Sequence, residues 1–227
     1  MGTAPAGGES DPRYSFGEEV ANYVTHGAGA VLAIAGLVLL AARSAALGSA
    51  RQLVGCTVFG VSLVLLYTTS TLYHAVPHSR AKAWLRVLDH SAIFLLIAGT
   101  YTPFTLVSLR GPWGWSLFAV VWGLAIAGIT LRLALRRRPT ALFLALYLCM
   151  GWCAVVALRP LSQSVAPAGL ALLAAGGLAY SGGVVFYVWR RLPFHHAVWH
   201  GFVLAGSALH FFAVLLYVAT PPHGLPR

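Results

Sequence analysis

The sequence predicts an all-α polytopic membrane protein, folded as a bundle of seven transmembrane helices. The first observation is composition: 59% of the 227 residues are hydrophobic and 9% are charged, whereas soluble domains carry about a quarter charged residues. The second is the arrangement of apolar residues in stretches of ~20, the length that crosses a bilayer as a helix. The third is that turn-forming or charged residues separate these stretches.

Seven apolar stretches define the predicted spans and the domain boundaries. They cover residues 23–42, 53–74, 87–108, 113–132, 141–159, 166–189 and 196–219. The breaks lie at residues 48–51, 77–82, 110–112, 136–139, 159–160 and 190–193, and the break before residue 166 is only mildly polar. We expect a disordered cytoplasmic tail at 1–16, a membrane domain at 17–219 and a short extracytoplasmic tail at 220–227.

The formal net charge is +10. The positions of the basic residues along the chain indicate a membrane orientation and argue against nucleic-acid binding. The basic residues form short clusters between apolar runs, which is typical of loops beside anionic lipid. With a cytoplasmic N-terminus, ten of the 15 lysines and arginines lie on the cytoplasmic side. The positive-inside rule therefore predicts an N-terminus inside and a C-terminus outside. We expect a multi-pass protein of the inner (plasma) membrane.

Three histidines at the ends of two predicted spans point to a metal site. His196 and His200 are four residues apart at the start of the last span, so their rings project from one helix face. His74 ends the second span, and span parity brings all three to the same leaflet. Three imidazoles with an open fourth position are typical of catalytic zinc. The alternative is that these rings cap helix ends or lie among lipid headgroups.

Asp89 is the one carboxylate that follows Glu19 in the chain. Ionisable residues within a membrane are costly, which makes each one a functional candidate. Three roles are open for Asp89: a direct metal ligand, a base that contacts the metal through water, or a counter-ion to Arg86. Ser70 precedes His74 by one helical turn and could donate a hydrogen bond to an oxyanion or bond to its own helix backbone.

Further polar residues are candidates for supporting roles. Glu19, Asn22 and His26 share one helix face near the entry to the first span, where they either support the metal site or cap the helix. His210 lies ten residues beyond His200, ~15 Å deeper along a helix, too far to bind the same ion. It is expected to need a buried partner. His195 is not expected to be a ligand, and His90 is expected to face elsewhere.

Five motifs, taken together and in order, resemble the bacterial hemolysin III proteins of the progestin and adipoQ receptor family. They are Glu19-x-x-Asn22-x-x-x-His26, Ser70-x-x-x-His74 followed by Leu88-Asp89-His90, residues 98–104 (AGTYTPF), His196-x-x-x-His200, and residues 209–212 (LHFF). The resemblance covers residues 17 to 219. Each motif alone would be weak, and the ordered set is specific.

The resemblance implies a seven-helix bundle with a zinc ion near the cytoplasmic side. It implies that His74, His196 and His200 are the ligands, that Asp89 contacts zinc through water, and that Ser70 lies nearby. The wider group includes alkaline ceramidases, which implies hydrolysis of a lipid amide.

Four functions remain open from the sequence. The leading one is a zinc-dependent hydrolase acting on a membrane lipid. A pore-forming cytolytic protein would need a polar stripe through the bilayer, for which the outer halves of the spans offer few residues. A transporter would require sites at several depths or broken helices. A membrane sensor with structural zinc is the fourth.

Overall fold

The computed structural model describes residues 14–77, 80–135 and 139–219, and these residues form helices without strands. Seven of the helices are long and apolar enough to cross a membrane. Spans 1 to 7 are, in order, Phe16–Leu47, Ala50–Ala75, Arg80–Ser108, Pro112–Ala134, Thr140–Ser164, Pro167–Val188 and His195–Tyr217. The predicted fold class is confirmed.

Span 1 begins earlier than predicted because its N-terminus is well capped. The Ser15 hydroxyl accepts a hydrogen bond from the backbone of Glu18, whose carboxylate accepts one from the Ser15 backbone. This reciprocal capping box satisfies two donors at the helix start. The Glu19, Asn22 and His26 face therefore belongs to span 1 itself rather than to a segment ahead of it.

Span 3 also begins earlier, at Arg80 instead of residue 87. Asp89 consequently lies nine residues into the helix and is not at its start. Lys82, which the sequence placed in a loop, is in the first turn of the same helix.

Span 5 is not a continuous α-helix. It runs as α-helix over Thr140–Gly151, as a 3-10 helix over Trp152–Ala157, and as α-helix over Leu158–Ser164. The Tyr101 hydroxyl of span 3 braces the change: it donates to the carbonyl oxygens of Met150 and Gly151 at 3.1 and 2.7 Å. It also accepts a bond from the Ala154 amide at 2.9 Å. These bonds satisfy backbone groups that the irregularity leaves without an α-helical partner.

Close packing of neighbouring spans brings the two halves of the candidate site together. Contacts are most extensive between spans 1 and 2, 2 and 3, and 6 and 7, and span 1 also contacts span 7. Gly55 of span 2 permits one such approach, since a Cβ there would lie 2.9 Å from the Pro103 Cα of span 3. Small residues at helix contacts are typical of membrane bundles.

The predicted tails, 1–16 and 220–227, lie almost entirely outside the described residues. Tyr14 and Ser15 are described, and both contact the membrane domain. The described part of the chain thus includes three residues that the sequence assigned to the tail, and the third of them, Phe16, begins span 1.

Candidate metal centre

Three histidines meet at one end of the bundle, hereafter the metal end. His74 lies in the last turn of span 2, and His196 and His200 lie in the first turns of span 7. One ring nitrogen from each lies within 4.8 Å of the others. The three residues are 3%, 6% and 1% exposed, so water is largely excluded from them. They are the group that the sequence predicted as ligands, and the arrangement could hold a metal ion.

Span 1 orients two of these imidazoles through their Nδ1 atoms. His74 Nδ1 lies 2.6 Å from Glu19 Oε2 and 3.5 Å from Asn22 Nδ2. His200 Nδ1 lies 3.2 Å from the Asn22 carbonyl oxygen and 3.2 Å from Thr25 Oγ1. A carboxylate and a carbonyl accept from an N–H, which assigns the proton to Nδ1 in both rings. Nε2 of each ring then carries the lone pair that a metal requires.

Buried ring nitrogens without a protein partner fit a metal ion. Among the described residues, His74 Nε2 and His196 Nδ1 are buried and make no hydrogen bond. Leaving such a group unsatisfied costs roughly 1–3 kcal/mol, which a ligand bond would offset. Metal-binding histidines usually donate their second N–H to a carboxylate or carbonyl, as His74 and His200 do here. The donor set and its supporting contacts therefore suit a divalent metal ion that binds imidazole.

Glu19 connects His74 to Lys82. Its Oε1 accepts a hydrogen bond from Lys82 Nζ at 2.9 Å, and Lys82 also donates to the Val76 carbonyl at 3.2 Å. The carboxylate thus holds His74 with one oxygen and the start of span 3 with the other. Its observed partners are therefore His74 and Lys82.

His26 is part of the cluster, although its nitrogens lie outside the three-histidine group. Its ring stacks on His200 with a centroid distance of 3.4 Å and an interplanar angle of 13°. It also meets the Tyr67 ring edge-on at 5.0 Å. Both His26 nitrogens are buried without a hydrogen bond among the described residues. The stacking fixes one face of the His200 ring.

Asp89 and Ser70 line the same cavity, of about 160 Å³, as His196 and His200. Both side chains are buried, at 8% and 1% exposed. Asp89 Oδ2 lies 3.3 Å from His90 Nδ1, which also bonds to the Arg86 carbonyl oxygen at 2.8 Å. His90 therefore contacts Asp89, contrary to the expectation that it faces elsewhere. The roles of Asp89 and Ser70 in chemistry stay predictions.

Two further histidines find partners of their own. His210 Nε2 contacts the Leu173 carbonyl of span 6 at 3.0 Å, and its ring packs against Tyr180 at 5.4 Å. The Leu173 carbonyl is therefore the buried partner that His210 was expected to need. His195 Nδ1 contacts the Phe186 carbonyl oxygen at 3.2 Å. Neither residue belongs to the three-histidine group.

Sequence reasoning missed three features of the site. The Tyr14 ring lies over the centre, with centroids 5.0 Å from His196 and 5.8 Å from His74, and no periodic signal precedes the helix to reveal it. Thr25, whose hydroxyl contacts His200 Nδ1, lies between Asn22 and His26 of the predicted polar face. Arg132 lines the cavity; its position inside an apolar run, before the basic cluster 136–138, was the available signal.

Comparison with known proteins identifies the family. The model of a family described as haemolysin-III related matches residues 14–211. The chain belongs to the haemolysin III family. It is 50% identical over 201 residues to Hemolysin-3 of Bacillus cereus, covering 88% of this chain and 92% of that protein. It is 48% identical over 209 residues to the Hemolysin-3 homolog of Bacillus subtilis strain 168, covering 92% and 98%.

A more distant human relative relates the chain to a larger family. The chain is 30% identical over 232 residues to the monocyte to macrophage differentiation factor of Homo sapiens, covering 99% of this chain and 93% of that protein. This similarity supports the place of the haemolysin III chain within the progestin and adipoQ receptor family. No solved structure matches the chain. The matched region, 14–211, includes all three histidines of the candidate centre.

Proposed function

We propose that this haemolysin III protein is a zinc-dependent membrane hydrolase that cleaves an amide or ester bond of a lipid. The observation that carries the proposal is the convergence of three buried histidine nitrogens within 4.8 Å, beside a cavity that Asp89 lines. A zinc ion held by His74, His196 and His200 would act as a Lewis acid and lower the pKa of water to about 7.

The chain's own residues supply the remaining chemistry. Asp89, which lines the cavity, would accept a proton from the attacking water, a contribution of typically 10²–10⁴ in rate. His90, 3.3 Å from Asp89, orients that carboxylate. Ser70 would donate a hydrogen bond to the oxygen that gains charge on the lipid carbonyl. Apolar lining residues such as Ile93 and Leu96 would hold an acyl chain and exclude bulk water.

The proposed orientation puts the metal end on the cytoplasmic side of the plasma membrane. The support is the predicted excess of lysine and arginine there, ten against five. Reporter domains fused after Arg137 and after Arg227 should report the cytoplasm and the exterior, respectively. A C-terminal reporter in the cytoplasm would overturn the orientation.

Metal analysis followed by product analysis tests the hydrolase. Purified protein should contain about one zinc per chain. Zinc-loaded protein added to vesicles of mixed bacterial lipids and ceramide should release fatty acid, and the same protein stripped by a chelator should not. Stoichiometric zinc without any released product would favour a structural ion in a membrane sensor. Protein that takes up no zinc under any loading condition would remove the proposal altogether.

A cytolytic function is the second candidate, because relatives that are 50% and 48% identical carry the hemolysin name. Dye-filled vesicles distinguish it from the hydrolase. Leakage that persists in a His200→Ala variant would indicate membrane permeabilisation independent of the metal centre. Leakage lost together with fatty-acid release would make lysis a consequence of lipid cleavage.

A further inference from the structure

Two arginines share the cavity with the candidate metal centre. Arg132, in the last turn of span 4, is 5% exposed. Its guanidinium carbon lies 4.7 Å from the centre of the Phe143 ring, in a cation–π contact. Arg86, in span 3, lines the same cavity three residues before Asp89. We call Arg86 and Arg132 the arginine pair.

The charge of this cavity favours an anion. Its described lining includes the arginine pair and Asp89, and the three give a formal charge of +1 when the histidines are neutral. A divalent metal on the three histidines would add to that. Burying an arginine within a membrane protein is expensive, so such residues usually serve a ligand or a pathway.

The cavity is amphipathic along its length. Its charged residues lie at the metal end, where spans 3 and 7 begin and span 4 ends. Its lining continues along the spans through Ile97, Thr100, Trp152 and Gly177 to His210, which lies ~15 Å deeper than His200 at helical rise. This shape matches a molecule with an anionic head and an acyl chain.

We propose that the arginine pair is a subsite for the phosphate of a lipid headgroup. Guanidinium groups bind phosphate oxygens bidentately, through short charge-assisted hydrogen bonds. A phosphate held there would fix the lipid while its chain lies along the apolar lining. The inference rests on the proposed function, because it assumes that the cavity receives a lipid. It narrows the substrate class to lipids that carry a phosphate.

Equilibrium binding to the purified, zinc-loaded protein in neutral detergent tests the subsite. The probes share two oleoyl chains: dioleoyl phosphatidic acid carries a phosphate and dioleoylglycerol carries none. Phosphatidic acid should bind about tenfold or more tightly, since charge-assisted bonds to a phosphate are absent from the neutral lipid. Equal affinities for the two lipids would overturn the proposal without any variant being made.

Variants of the arginine pair locate the effect. Arg132→Gln and Arg86→Gln should each reduce the preference to about threefold or less, while zinc content stays at the parent level. Arg132→Lys keeps the positive charge but loses the planar guanidinium group that can bind phosphate bidentately. It should retain an intermediate preference for phosphatidic acid. The matched control is Arg191→Gln: Arg191 is exposed on the same side and lies outside the cavity lining. It should keep the full preference.

The outcomes separate this inference from the hydrolase proposal. The preference for phosphatidic acid could survive both glutamine variants, or it could fall equally in Arg191→Gln. Either result would show that surface charge causes the preference, and would overturn the subsite. Displacement of phosphatidic acid by inorganic phosphate at the same concentration would overturn the lipid source, because the acyl chains would then contribute nothing. Binding that behaves as expected while no lipid is cleaved would support the subsite and count against the hydrolase alone.

Discussion

The two ends of the bundle bury polar side chains for different purposes. At the end opposite the metal end, Gln52 Nε2 donates to the Val218 carbonyl oxygen at 2.8 Å, and the Thr105 hydroxyl donates to the Tyr101 carbonyl oxygen at 3.1 Å. Such bonds satisfy these two side chains with backbone oxygens, whereas Ser44 Oγ at the same end is buried without a hydrogen bond among the described residues. At the metal end, ring nitrogens of His26, His74 and His196 are buried without a hydrogen bond among the described residues.

This difference separates polar residues that support helix packing from residues arranged for a ligand. A hydroxyl or amide that bonds to a backbone carbonyl needs nothing from outside the chain. Buried imidazole nitrogens that face one another cost free energy until something binds them. We therefore expect substitutions in the three-histidine group and in the side chains that contact it to change metal binding and chemistry, and substitutions at the opposite end to change stability alone.

The largest expected effect is loss of the metal from His196→Ala or His200→Ala. Removing one of three ligands should reduce zinc in the purified protein from about one per chain to near zero. His195→Ala is the matched control, because His195 is also buried but its Nδ1 contacts the Phe186 carbonyl oxygen. Metal analysis by mass spectrometry gives the result, and full zinc in either ligand variant would remove the ligand assignment.

Asp89→Asn should affect chemistry more than metal binding. The substitution keeps the size of the side chain but removes the base, so the rate of lipid cleavage should fall ~10²–10⁴-fold. Zinc affinity should fall only ~10–100-fold, as for residues that contact the metal through another group. Complete loss of zinc would make Asp89 a direct ligand. If Arg86→Gln reproduced both changes, Asp89 would act as its counter-ion.

Glu19→Gln should weaken zinc binding by about tenfold, at the lower end of the range for residues that orient a ligand. The neutral amide still reaches His74 but no longer stabilises its N–H as a carboxylate does. Glu18→Gln is the control, since Glu18 instead accepts bonds from the Ser15 and Phe194 amides at 2.8 and 3.1 Å. Competition with a chromogenic chelator measures both affinities; equal losses would mean that Glu19 acts only through the helix start.

The local part of the metal centre could be predicted from the sequence, and the tertiary part could not. Spacing alone places His196 and His200 on one helix face, and counting spans brings His74 to the same end. The stacking of His26 on His200 depends on how spans 1 and 7 cross. The contact between Glu19 and Lys82 depends on span 3 starting at Arg80. Neither follows from periodicity within one segment.

The fold shows the same limit. Seven spans followed from composition and length, because a bilayer imposes ~20 apolar residues on each helix. The 3-10 segment Trp152–Ala157 did not, since its apolar sequence is as compatible with an α-helix. Its bracing comes from Tyr101, on a different span. Irregular backbone at membrane depth is tolerated where protein groups satisfy it, and those groups are distant in sequence.

The smallest expected effect belongs to the opposite end and concerns Thr102. Its hydroxyl donates to the Ala98 carbonyl at 2.8 Å and accepts from Trp122 Nε1 at 3.1 Å, so it joins spans 3 and 4. Thr102→Val keeps the shape and leaves the indole N–H unsatisfied, which should lower the free energy of unfolding by roughly 0.5–2 kcal/mol. Zinc content should be unchanged.

Thr69→Val is the control for Thr102→Val, because the Thr69 hydroxyl bonds to the Leu65 and Leu66 carbonyls of its own helix. Its loss of stability should be the smaller of the two, since no indole from another span donates to it in the described structure. Thermal unfolding in detergent, with metal analysis of the same samples, gives both quantities. Loss of zinc from Thr102→Val would show that the two ends are coupled, and the division of the bundle into a packing end and a ligand end would then fail.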